Sequence, residues 1–175
     1  MDDQIRIALE QQNPWWFNKQ YETGIPRLDY YPKLQKYLNT PEILLILGAR
    51  RTGKSTLLFQ IIASLDAKPE AILFINLDEP LFQSKAEEPS FLSNLIEEHL
   101  LLHKGVQRFY VFIDEVQNYD YWVQTVKTLH DANKQIKFIL TGSTSALLKN
   151  AVGTRLSGRY LTTTIYPLSF PEFLC

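Results

Sequence analysis

The 175 residues amount to 20.4 kDa, the size of one compact domain. Apolar side chains make up 45% and charged ones 21%, which excludes intrinsic disorder for the chain as a whole. Lysine and arginine number 18 against 19 aspartates and glutamates, a formal charge of −1, so affinity won by blanket phosphate neutralisation, as on nucleic acid, is excluded too.

Taken in chain order, residues 3–12 are predicted to form a short helix with Asp2 or Asp3 as its N-cap. Asn13-Pro14-Trp15-Trp16-Phe17 breaks it with an aromatic cluster that reads as a plug on a sheet edge, with stacking on a base as the alternative. Gly24, Pro26 and Pro32 punctuate residues 18–32, and 33–38 form a brief helix ended by Asn39-Thr40-Pro41. Residues 1–40 are therefore expected to be a helical and aromatic lead-in packed on a core of residues 41–175. In that core, 43–47 (Ile-Leu-Leu-Ile-Leu) lack polar alternation and predict a strand buried on both faces. Strands follow at 71–77, 108–113, 136–140 and 160–166. Helices are predicted from Lys54, from a cap at Ser90, from a cap at Asp120, and briefly over 145–150; residues 78–89 read as a polar loop. Strand and helix alternate at βαβ spacing, which predicts an α/β fold with a parallel sheet flanked by helices.

The longest apolar run, 43–49, has seven residues, against about 20 for a bilayer span, so no membrane crossing is expected. The acidic start lacks the basic-then-apolar pattern of an export signal. Cys175 is the only cysteine and allows no internal disulfide. A reducing, cytoplasmic setting follows as an expectation.

Gly48-Ala49-Arg50-Arg51-Thr52-Gly53-Lys54-Ser55 fits G-x-x-x-x-G-K-[ST] at every fixed position, between a buried strand and an amphipathic helix. The chemistry requires these types. Glycines let the loop curl so that its N–H groups point at a phosphate, and the next helix aims its positive end at the same group. Lys54 is expected at the β- and γ-phosphates and the Ser55 hydroxyl on Mg²⁺. Gly48, Arg51, Thr52, Gly53, Lys54, Ser55 and Thr56 form the candidate nucleotide-binding set, although Arg50 and Arg51 by themselves read as solvated loop charges.

Residues 109–115 (Phe-Tyr-Val-Phe-Ile-Asp-Glu) run an apolar strand into two carboxylates. At the C-terminal edge of such a sheet Asp114 can join the shell of a Mg²⁺ ion, and Glu115 can polarise a water for attack on the γ-phosphate. Residues 137–143 end in Thr141-Gly142-Ser143, whose hydroxyls read either as γ-phosphate sensors or as caps of the next helix. Arg155 and Arg159 lie in a glycine-containing loop, and either forked guanidinium suits a γ-phosphate, within the chain or from a neighbouring copy. Arg27 is a weaker candidate for the base pocket. His99 and His103 share a helix face without a third metal ligand and read as ordinary core or surface histidines.

The segments LGARRTGKSTLL, VFIDEVQ, ILTGSTSALL, RLSGRY and YPLSFPEF, in this order, resemble the AAA+-like P-loop ATPases of the prokaryotic and archaeal-ATPase group, as does Asn13-Pro14-Trp15-Trp16 ahead of them. That resemblance covers most of residues 13–174. It implies strand order 5-1-4-3-2, phosphate and metal contacts from Lys54 and Ser55, a metal role for Asp114, a water-activating role for Glu115, and γ-phosphate sensing by Thr141, Ser143 and Arg159. It further implies a lid and a C-terminal domain beyond Cys175, so the chain reads as part of a longer protein.

The function expected is ATP binding and Mg²⁺-dependent hydrolysis by a nucleotide-driven conformational switch. Its implied partners are ATP, further copies of the chain, and a protein or DNA client met through the C-terminal domain. Alternatives are a regulatory or DNA-associated nucleotide-binding module with little hydrolysis, and a P-loop phosphotransferase. GTP is disfavoured: Asn133-Lys134-Gln135-Ile136 lacks the aspartate of a guanine-reading N-K-x-D, and Gln117 replaces the glycine expected three residues after Asp114.

Overall fold

The computed structural model describes residues 2–143, 156 and 158–173. Five parallel strands, β1 (Ile43–Gly48), β2 (Ile72–Asn76), β3 (Phe109–Asp114), β4 (Ile136–Ser143) and β5 (Tyr160–Ile165), form one sheet in the order β2-β3-β4-β1-β5. This is the P-loop NTPase order that the resemblance implied. Helices α1 (Asp3–Gln12), α2 (Tyr31–Leu38), α3 (Lys54–Ser64), α4 (Pro80–Gln83), α5 (Phe91–Leu102), α6 (Trp122–Ala132) and α7 (Phe170–Phe173) surround it. The helix expected over 145–150 and the candidate Arg155 lie outside the described residues.

Alternate residues of each inner strand feed two cores. Ile43, Leu45, Val111, Ile113, Phe138 and Leu140 pack with α1, α5 and α6 on one face. Leu44, Ile46, Phe74, Phe112 and Ile139 pack with α2 and α3 on the other. An uninterrupted apolar strand is therefore the right sequence for a sheet covered on both sides. Leu9, Trp15, Leu34 and Leu38 of the lead-in are all buried in these cores. At about 2 kcal/mol for each such side chain, the lead-in is part of what holds the sheet together.

The lead-in also closes the outer edge of β2. Asn13, fully buried, donates to Phe74 O (2.9 Å) and accepts from Phe74 N (2.7 Å), imitating a neighbouring strand. Gln12 Oε1 accepts from Asn76 N (2.8 Å), and the Trp15 and Trp16 indoles donate to Ile72 O (3.3 and 2.9 Å). The plug reading of this cluster thus has a hydrogen-bonding basis beside its apolar one. At the N-terminal ends of the central strands the buried Lys137 ammonium of β4 donates to Tyr37 O (2.6 Å), Thr40 O (3.0 Å) and Glu42 O, the carbonyls that leave α2. Burial pushes that ammonium down to about 8.

Several local expectations differ from what is observed. β4 runs on to Ser143, three residues past the predicted strand end. Neither Ser90 nor Asp120 caps by its side chain; α6 starts one turn position later, with Tyr121 at the N-cap. The polar loop 78–89 contains α4, nucleated by Pro80 at its first position and pinned by buried Phe82. The short α7 is held by Glu172, which accepts from Ser169 N (2.8 Å).

Register sets the functional edge. Gly48 pairs with Ser143 and Ile165, Asp114 pairs with Asn76, and Ile113 pairs with Leu140, so the C-terminal ends of all five strands lie along one edge of the sheet.

Two outcomes are expected. Asn13→Leu strands the Phe74 N–H and C=O and costs about 3 kcal/mol, a fall in Tm of roughly 10 °C by thermal denaturation. His99, stacked on Trp16 at 5.3 Å and buried beside His103, is held down to about 4, chiefly by desolvation. The unfolded chain binds that proton from about pH 6.5 and the folded one only near pH 4, so this stability is intact above pH 6.5 and lost as pH falls towards 4, by about 3 kcal/mol. Denaturant titrations at stepped pH should show the slope in the wild type and lose it in His99→Phe.

Candidate functional site

The loop from Gly48 to Gly53 is built around close backbone approaches. A Cβ on Gly48 would lie 2.6 Å from Ile165 O and 2.7 Å from Thr52 Oγ1. Gly53 turns at φ +86° and Arg51 at +64°, so the left-handed positions include one that is not a glycine. Thr52 Oγ1 donates to Ala49 O (3.0 Å) and stiffens the turn. No side chain caps α3, whose first N–H groups therefore remain for a ligand in the loop.

Lys54 opens α3 and its side chain is 3% exposed. Its ammonium donates to Ala49 O (3.1 Å) and lies 3.5 Å from Glu115 Oε1. Asp114, at the end of β3, is 2% exposed. Burial raises its carboxyl above the ordinary aspartate value, while hydrogen bonds from Ser55 and Thr141 pull it back. The Thr141 hydroxyl donates to Asp114 Oδ1 and accepts from Glu115 N (3.0 Å). Glu115 itself leaves the strand at φ +55°, and Gln117 Nε2 donates to its Oε2.

A buried carboxylate, a hydroxyl beside it and an ammonium facing a ring of open N–H groups form the donor set a Mg²⁺-bound triphosphate requires. Desolvated Asp114 is poorly balanced by the protein alone, and a divalent cation would relieve that cost. Beside the loop a cleft of about 440 Å³ is lined by Gly24, Ile25, Arg27, Thr52, Gly53, Thr56 and Leu168. On the other side of Asp114 a second cleft of about 430 Å³ is lined by Gln12, Tyr21, Glu22, Ser55, Phe59 and Asn76. A cleft of about 620 Å³ lies at the opposite end of the strands, among Lys68, His103 and Arg108, away from this chemistry.

Gly48, Thr52, Gly53, Lys54, Ser55, Asp114, Glu115 and Thr141 thus converge. Thr56 stands in the cleft wall, with Gly24 packed so closely that a Cβ there would be 2.7 Å from Thr56 Cγ2. Arg51 is exposed and also lines the cleft of about 440 Å³ beside the loop. Thr141 donates to Asp114 and so braces the two acids. Arg159 precedes β5, where its carbonyl accepts from Ile43 N (2.8 Å) at the start of β1, and its guanidinium pairs with Asp131 (2.9 Å). Five strand steps, about 16 Å, separate that point from Gly48, which sets aside the within-chain half of the Arg159 expectation and leaves approach from a neighbouring copy. Ser143 contributes a backbone N–H to Gln117 Oε1 (3.4 Å).

Arg27 carries more than its sequence context suggested. Almost fully buried, it donates to Thr52 O (2.8 Å), Tyr166 O (2.7 Å) and Glu172 Oε1 (2.8 Å). Gln60 of α3 supports the same segment through Thr23 O (2.7 Å), Ile25 O (2.6 Å) and Arg27 N (3.1 Å). Neither partner set is foreseeable from spacing, because the contacts join residues that lie 25 to 145 positions apart.

In a Gly48→Ala variant the added methyl meets the Ile165 backbone carbonyl of β5 as well as the Thr52 side chain, so both the loop and the end of β5 must shift. The variant should bind a fluorescent ATP analogue at least about tenfold more weakly, because those shifts spoil the amide cradle; equilibrium titration checks this.

The AAA domain family model matches residues 40–174. An uncharacterised protein of Haemophilus influenzae is 35% identical over 153 residues, covering 86% of this chain and 37% of its own length. The uncharacterised protein MJ1544 of Methanocaldococcus jannaschii is 38% identical over 134 residues, covering 76% of this chain and 28% of its own. The chain thus spans about a third of the length of such relatives. Among solved structures, C. elegans PCH-2 superposes with a TM-score of 0.54 at 15% identity, over 91% of this chain and 47% of that one, a likeness of fold alone. With most of its length, phosphate loop included, inside the family match, the chain belongs to the AAA domain family, as a nucleotide-binding, ATPase-like module.

Proposed function

We propose that the module binds ATP with Mg²⁺, hydrolyses the β–γ bond and uses the cycle as a conformational switch. The observation that carries this reading is the 3.5 Å approach of Glu115 to Lys54 at the mouth of the loop, with Asp114 and Ser55 alongside. Lys54 neutralises the β- and γ-phosphates, and the α3 N-terminus and loop amides bind their oxygens. Ser55 and Asp114 would hold Mg²⁺, which would neutralise charge on the phosphates. Glu115 takes the proton of a water whose oxygen attacks the γ-phosphorus, and ADP leaves with the bond electrons.

The cleft of about 440 Å³ beside the loop, with Ile25 and Leu168 on its walls, suits the adenine ring. Arg27 supports the switch role: one guanidinium ties the loop at Thr52 to Tyr166 and Glu172, so a displaced loop pulls on the segment after β5. Assembly with further copies, cytoplasmic action, and a protein or DNA client reached through other parts of a longer protein belong to the same reading.

Phosphate release and ATP titration test it. Glu115→Gln should bind ATP normally and lose about 10²-fold or more in kcat, while Lys54→Ala should lose most ATP affinity. Normal turnover by Glu115→Gln removes the proposed base. Undiminished binding by Lys54→Ala misplaces the whole site.

A further inference from the structure

We infer that Gln117 is the positioning residue for Glu115, its side-chain amide holding the carboxylate in line and fastening it to the end of β4. The inference rests on the reading of Glu115 as the group that activates water.

Glu115 leaves β3 in the left-handed region, and the chain enters a tight turn over Val116–Asn118 that brings Gln117 back beside it. The amide is then used at both ends. Its Nε2 donates to Glu115 Oε2, and its Oε1 accepts from Ser143 N (3.4 Å). These partners fix the orientation of the amide, because a reversed group would set oxygen against carboxylate and NH₂ against N–H. β4 thus registers Glu115 twice. Thr141 accepts its backbone N–H, and Ser143, two residues on, steadies its carboxylate through Gln117.

The other carboxylate oxygen, Oε1, lies 3.5 Å from the Lys54 ammonium. A triphosphate carries several negative charges and competes for that ammonium. Once Lys54 turns to phosphate, the Gln117 amide is what keeps Glu115 from swinging on its three side-chain torsions. A neutral donor does this without adding a cation that would hold the carboxylate away from its water. Placement errors of about 1 Å at a reacting group cost up to about 10²-fold in rate, which is the scale on which such a clamp matters.

The test is a double-mutant cycle on phosphate release with ATP affinity measured alongside. Gln117→Leu should lower kcat about tenfold with KM and ATP affinity unchanged, and Gln117→Asn, one methylene too short to span both partners, should do the same. In the Glu115→Gln background, Gln117→Leu should cost nothing more, because the carboxylate it positions is gone. Full kcat in both Gln117 variants, parallel loss of ATP affinity, or additive loss in the double variant each overturns the inference while leaving Glu115 in its role. Normal turnover by Glu115→Gln alone overturns the reading beneath it, and the inference with it.

Discussion

Two opposite charges withdrawn from water at the same end of the sheet set the terms for everything else. Lys54 and Asp114 are each almost completely buried, and neither is compensated by a direct bond to the other. Taking either group out of water costs several kcal/mol unless polar partners surround it. Ala49 O and Glu115 attend to the ammonium; Ser55 and Thr141 attend to the carboxylate. The loop, the first turn of α3 and the ends of β3 and β4 are therefore one electrostatic unit. It can exist only because parallel register ends those strands side by side.

Around that unit the molecule uses side chains as substitutes for backbone. Asn13 completes the β2 ladder, Lys137 gathers the carbonyls that leave α2, and Arg27 joins three separate stretches by their carbonyls and one carboxylate. Each would be expensive to bury alone, and each is kept by multiple hydrogen bonds. The lead-in is thereby fastened to both ends of the sheet, through α2 at the strand starts and through Arg27 at the loop.

Legibility from sequence followed the range of the forces involved. The β1 strand and the phosphate loop could be read directly, because continuous apolar runs and glycine spacing encode local conformation. Asp114 and Glu115 were readable as a strand exit beside that loop. What escaped depends on tertiary partners. Nothing local announces Thr141 as a brace between two acids, and only β3–β4 pairing makes it one. Arg159 suits phosphate by its chemistry, and only the β1–β5 pairing shows that it stands at the far end of the strands from the loop of its own chain. Gln117 was visible as a letter in a motif, while its work depends on the left-handed turn at Glu115, which no side-chain pattern announces.

The treatment of β2 has a consequence for how this protein can associate with others. An outermost strand normally offers a row of unmet N–H and C=O groups, the template on which sheets of separate molecules fuse. Here an amide, a second amide and two indoles already occupy that row at Ile72, Phe74 and Asn76. Growth of the sheet from this border is closed off, so any assembly that involves this flank must be made by side-chain surfaces and not by a shared ladder.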